Sequence, residues 1–119
     1  MKLPIKAYAI DSGENELDEL ILTWMSANRR TVHMATLQAC LILMENPKQF
    51  SQPIIDLYLD GLSEEQEELI AEIGVDQEGA WDGLDECQKW FVEKELYEEA
   101  AAVVVCKKHF EEQNKNNLK

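Results

Sequence analysis

Positions 31–45 read TVHMATLQACLILME, and from Val32 to Met44 the apolar residues leave almost no polar stripe. No formal charge falls between Arg30 and Glu45. A helix that is apolar nearly all round needs an apolar neighbour on every face, so this stretch predicts a central, buried helix.

Upstream, Leu3, Ile5, Ala7 and Ala9 alternate weakly with Lys6, Tyr8 and Ile10. Pro4 argues against a central strand, which leaves an extended arm or a short edge strand. Asp11, Ser12 and Gly13 mark a turn, and Glu14, Glu16, Asp18 and Glu19 place negative charge where a helix begins. Leu17, Leu20, Ile21, Trp24 and Met25 follow at helical spacing, predicting a helix over 14–28 that Asn28, Arg29 and Arg30 terminate. Thr31 then caps the central helix.

Downstream, Asn46-Pro47 stops the central helix, because the residue before proline is pushed out of the α region. Ser51 as a cap, Pro53 in a first turn, and the apolar set Ile54, Ile55, Leu57, Tyr58 and Leu59 predict a third helix ended by Gly61. Ser63 and Gln66 have capping-box spacing and open a fourth, with Leu69, Ile70 and Ile73 as its core edge and Gly74 closing it. Gly79, Gly83, Asp76 and Asp82 mark 75–83 as a loop. Two further helices follow over 84–94 and 96–113, the first turning Leu84, Cys87, Trp90 and Phe91 inward. The second turns Leu96, Ala100, Val103, Val104 and Phe110 inward. The pattern therefore predicts an all-α fold: one domain, 1–113, of about six helices around the buried helix 31–45. A short extended arm precedes the bundle and a flexible tail, 114–119, follows it.

The run Tyr97-Glu98-Glu99-Ala100-Ala101 resembles the start of the second helix in the UVR hairpin of nucleotide-excision-repair proteins. The Arg-Asp pair that follows in that family is replaced here by Val104 and Val105, and the likeness covers under a quarter of the chain. It implies a short antiparallel helix pair and carries no function.

Composition places limits on this picture. A chain of 119 residues, 45% hydrophobic, can bury a real core as one domain. The central apolar run is about half the roughly 20 residues that cross a bilayer. The opening MKLPIKAYAI has no apolar signal-peptide core, so the expected address is cytoplasmic. Cys40, Cys87 and Cys106 cannot all pair within one chain and form no CxxC; in apolar helical contexts they read as small hydrophobes in a reducing compartment.

Charge changes the picture most. The net charge is −13, and it is uneven: residues 1–55 carry −1, residues 56–99 carry −14, and residues 100–119 carry +2. Such a field repels duplex DNA and attracts basic surfaces. Arg29-Arg30 and Lys107-Lys108 are too few to make a nucleic-acid-binding stripe.

Candidate chemistry is sparse. Runs such as Glu64-Glu65 and Glu67-Glu68 read as solvated faces, whereas an acid–base pair needs two carboxyls in different environments. Asp76, Glu78, Asp82, Asp85 and Glu86 gather around Gly79 without matching a calcium-binding loop, and His33 and His109 are far apart in sequence. Cys87 or Cys106 with His109 is the conceivable nucleophile–base pair, but Cys106 closes an apolar run and reads as core. No glycine-rich turn opens a helix to cradle phosphate. The expectation is a non-enzymatic protein with no metal and no cofactor.

What remains is the acidic region. Asp56, Asp60, Glu64, Glu65, Glu67, Glu68, Glu72, Asp76, Glu78, Asp82, Asp85 and Glu86, with Trp81 as an aromatic anchor, form the candidate partner-binding set. Only Lys89 and Lys94 interrupt the charge of 56–99. The expected function is a small inhibitor or regulator of a basic, nucleic-acid-binding protein, with the size and charge of phage anti-defence and DNA-mimic inhibitors. The alternative is a helical adaptor or a self-assembling subunit such as a homodimer. It would use apolar contacts, and the acid would only solubilise it. Direct nucleic-acid and membrane binding are not expected.

Overall fold

The computed structural model describes residues 2–10, 16–59 and 68–117, with side chains through Gln113. Strand β1 (Ile5–Ala9) is followed by helices α1 (Leu17–Ala27) and α2 (Arg29–Glu45). Strands β2 (Ser51–Leu59) and β3 (Leu69–Asp76) come next, then helices α3 (Ala80–Glu93) and α4 (Tyr97–Asn117). The architecture is α/β, so the all-α bundle of six helices is overturned: the described residues form four helices and a three-stranded sheet.

The sheet order is β1-β2-β3, with β2 parallel to β1 and antiparallel to β3. Side chains alternate between the faces of a strand. Ile5, Ala7, Ile55, Leu57, Ala71 and Ile73 therefore turn to one face, where they pack with Leu20, Ala35 and Ala39 of α1 and α2. The small side chains of Ala35 and Ala39 let α2 lie close on the sheet. The opposite stripe of α2, Leu37, Cys40 and Leu43, packs with Leu84, Cys87 and Phe91 of α3 and with Val103, Cys106 and Phe110 of α4. Helix α2 is thus apolar on two faces because it separates two cores, which bears out its reading as the central buried helix. Stretch 3–10 forms the edge strand it allowed.

The third predicted helix is strand β2. Its apolar run is short enough to fit either period, and Ile54, Ile55 and Tyr58 are strand-favouring types. The alternation Ile55, Leu57 inward and Asp56, Tyr58 outward wins once β1 and β3 supply hydrogen-bonding partners. Pro53 sits within this central strand at a register shift opposite Gly74, where a missing N–H is tolerated. Gly74 does not end a helix; a Cβ there would lie 3.2 Å from the Gln52 carbonyl oxygen. The fourth predicted helix is likewise replaced over 69–76 by β3, and its capping pair Ser63 and Gln66 lies outside the described residues, as do Asp11, Ser12 and Gly13.

Other boundaries shift. Arg29 and Arg30 do not end the first helix; they open α2, and Asn28 is the junction. The Asn28 backbone N–H and side-chain Nδ2 both donate to the Trp24 carbonyl, at 3.0 and 2.8 Å. The loop expected over 75–83 shrinks to a turn, and α3 begins at Ala80. Helix α4 continues to Asn117, past the predicted end at 113. Val104, expected inward, is exposed.

Helices α3 and α4 form an antiparallel hairpin whose turn is a Schellman closure. The Leu96 N–H donates to the Phe91 carbonyl and the Glu95 N–H to the Val92 carbonyl, at 2.8 and 3.0 Å. Glu95 takes φ of 61°, the left-handed conformation that a Cβ disfavours by about 1 kcal/mol or more. Glu95→Gly is therefore expected to stabilise the fold by about 1 kcal/mol, read as a higher urea midpoint at unchanged slope.

Candidate functional site

The predicted acidic residues are placed on three parts of the molecule. Asp56 and Glu72 are direct cross-strand partners on the sheet face away from α2, and Lys6 is the partner of Asp56 on its other side. The next row on this face is Tyr8, Tyr58 and Leu69. The two tyrosine rings lie 6.0 Å apart, and Lys6 Nζ is 4.7 Å from the centre of the Tyr58 ring. Tyr8 is 44% and Leu69 43% exposed, so helix packing leaves this face open. Two like charges side by side on a sheet cost stability unless a cation joins them.

The second part is the β3 edge and the turn after it. Among the described residues no strand pairs with the outer edge of β3. Glu68 begins this edge; Asp76 and Glu78 end it. Asp76 Oδ1 accepts from the Gly79 N–H at 2.6 Å, and the Gln77 side chain donates to the Leu43 and Gln49 carbonyls at 3.2 and 2.8 Å, tying the turn to the end of α2. Beside β3, on the α2 side, runs an apolar groove of about 270 Å³ lined by Val32, Thr36, Ile73, Val75 and Gly83. On the open face a cleft of about 330 Å³ lies against Pro53, Asp56, Glu72 and Gly74. Pro4, Ser51 and Gln52 complete the lining of the second cleft, which therefore lies over β2 and not at the outer edge of β3.

The third part is α3. Asp82 and Glu86 are exposed. Asp85 is drawn inward, 2.8 Å from Lys107 Nζ and 3.3 Å from Lys89 Nζ. The hydrogen bond from Lys107, then that from Lys89, holds its carboxyl below the usual carboxylate range. Trp81 is half-buried: its Nε1–H donates to Glu111 Oε1 at 3.0 Å, and Lys107 Nζ lies 4.5 Å over its ring. Trp81 and Asp85 thus brace α3 against α4, while Asp56, Glu68, Glu72, Glu78, Asp82 and Glu86 make no ion pair with another described residue. Asp60, Glu64, Glu65 and Glu67 lie outside the described residues.

One pairing absent from the sequence reading is Cys87 with His33, brought together across 54 positions. Cys87 Sγ lies 3.4 Å from His33 Nδ1 and donates to the His33 carbonyl at 3.6 Å. His33 also packs on Trp90, ring centres 5.2 Å apart, beside a cleft of about 320 Å³ edged by Arg29, Glu86 and Lys89. Burial, then the nearby Arg29, lowers the His33 pKa, with Glu86 opposing. Burial pushes the Cys87 thiol up to about 12. Both effects favour a neutral thiol and a neutral imidazole, the reverse of the thiolate–imidazolium pair that a cysteine nucleophile needs. Cys40 is likewise pushed up to about 12 by burial and its two neighbouring cysteines, and burial raises Cys106.

Among the described residues no group of three His, Cys, Asp or Glu side chains converges on a point where a metal would sit, and no helix is long and apolar enough to cross a membrane. Compared with protein families, characterised proteins and solved structures, the chain matches none.

Proposed function

We propose that this chain is a non-enzymatic acidic binding protein that inhibits or regulates a basic, nucleic-acid-binding partner protein. The β3 side of the sheet is its docking surface. The observation that supports this reading is the combination of the open outer edge of β3 with carboxylates that make no ion pair among the described residues: Glu68, Glu72 and Glu78, with Asp56 beside Glu72. Among the described residues the lysine in register with this row is Lys6, which adjoins Asp56 and is two strands from Glu72. A basic segment reaching β3 gains main-chain hydrogen bonds from the edge and relieves the Asp56–Glu72 repulsion. Charge of this kind governs encounter rate and choice of partner, and salt screens it.

The test is capture from a nuclease-treated lysate of the source cell or its host, at low and high salt. The parent protein is compared with the triple reversal Glu68→Lys, Glu72→Lys and Glu78→Lys. The expected result is a nucleic-acid-binding protein retained at low salt, released at high salt and displaced by duplex DNA. Its affinity should fall roughly tenfold or more in the triple variant. Capture that ignores salt and DNA, or is equal for both proteins, overturns the reading.

A further inference from the structure

We infer that α4 is the seam of a homodimer in which two copies of this chain pair antiparallel along Tyr97, Ala101, Val104, Val105 and Lys108. These residues recur at helical spacing on the side of α4 turned away from Ala100, Val103, Cys106 and Phe110, which fill the core. Tyr97 is 63%, Val104 50% and Val105 63% exposed, and Ala101 is exposed between them. Surface helices keep such a stripe polar, whereas here Tyr97, Ala101, Val104 and Val105 stand in water over two turns. Scattered exposed apolar residues need no explanation, but a contiguous row does.

The occupant follows from charge. At −13 the chain as a whole repels its own copies, yet α4 itself, with Glu98, Glu99, Glu111 and Glu112 against Lys107, Lys108 and Lys115, carries only −1, so self-repulsion along it is weak. The row is bracketed by an exposed acid, Glu98, at its N-terminal end and an exposed base, Lys108, at its C-terminal end. Ten helical residues separate them, about 15 Å, too far to pair within one chain. A second copy laid antiparallel, with the two-fold axis crossing the exposed face of α4 at the level of position 103, brings each Glu98 beside the other copy's Lys108 and sets Ala101 against Val105. A parallel copy would set Glu98 against Glu98. The arrangement is isologous and closes on itself, as most homodimers do. A single helix pair buries less than the roughly 800 Å² per partner of a standard interface, so association is reversible and concentration-dependent. The seam lies on the α3–α4 layer, separated from the sheet by α2, and is independent of the acidic docking surface.

Sedimentation equilibrium over the micromolar range tests the seam. The parent protein should move from one to two chain masses with concentration. Val104→Gln with Val105→Gln, which adds no charge, should stay at one chain mass with unchanged helix content. Glu98→Lys or Lys108→Glu alone should weaken association about tenfold, and the two together should restore it. A parent protein monomeric throughout, a glutamine variant that dimerises like the parent, or a double reversal that fails to recover each overturns the antiparallel seam.

Discussion

Phe91→Ala is expected to cost about 3–5 kcal/mol of folding stability, the cost of emptying a buried phenylalanine site. Phe91 is fully buried in the centre of the helical layer, among Leu84, Cys87, Val103 and Phe110. Its ring meets Trp90 edge-on with centres 5.7 Å apart, and His33 at 6.3 Å. Its backbone carbonyl closes α3 by accepting from Leu96 N–H. Loss of the ring therefore leaves a cavity where α2, α3 and α4 meet and removes the surface on which the hairpin turn rests. Since a domain of this size is stable by only about 5–15 kcal/mol, the melting temperature should fall by about 15 °C or more. Thermal unfolding followed by far-ultraviolet circular dichroism reads the change. A loss under about 1 kcal/mol would mean that the helical layer is not packed around Phe91.

Alkali should unfold the protein steeply, and the buried thiols are the reason. Cys40 and Cys87 have no exposed surface, and both are pushed from about 9 up to about 12. A group whose folded pKa is raised contributes stability below its unfolded value and loses it as pH rises toward the folded value. Between about pH 9 and pH 12 the unfolded chain releases two protons that the folded chain keeps. Each costs about 1.4 kcal/mol per pH unit, so the pair removes about 2.7 kcal/mol per unit. Urea unfolding of the parent and of Cys40→Ala/Cys87→Ala, at steps from pH 8 to pH 11, isolates this effect. The double variant should start less stable, because two small cavities remain, and then fall less steeply. Equal slopes for the two proteins would show that these thiols do not titrate on unfolding. Lysines and tyrosines common to both proteins cancel in the comparison.

The same burial explains why cysteine chemistry is quiet in this fold. Three thiols in a small acidic protein invite a search for a nucleophile, and the sequence offered His109 as a base. The fold instead sets Cys87 against His33 and keeps both neutral. Cys106 faces the core, as its place at the end of an apolar run implied.

The candidate docking surface was legible as charge but not as shape. The concentration of acid over 56–99 is written in composition, yet Trp81 and Asp85 turn into the α3–α4 contact, while Asp56 and Glu72 come side by side only through strand pairing. The open sheet face, with Lys6, Tyr8, Tyr58 and Leu69, was missed. Its signal was present in the alternation of 3–10, where Lys6 and Tyr8 share one parity.

The sequence by itself determined the elements whose signals are local and redundant. The central helix follows from the fourteen uncharged positions 31–44 and the C-terminal helix pair from two long periodic runs, while the alternation around Pro4 left an extended arm or a short edge strand open. Only the tertiary structure decided that 51–59 and 69–76 are strands. Each run is short enough to satisfy both periods, and Ser51, Pro53 and Gly74, which mimic helix caps, serve instead in a strand pair with a register shift. The partner that settles the matter lies far away: Ile5 pairs with Ile55 across fifty positions, and no local propensity records such a contact. The faces of α4 were decided in the same way. Val103, Val104 and Val105 are chemically identical in sequence, and the packing of α2 and α3 against one side of the helix buries the first and leaves the other two in solvent.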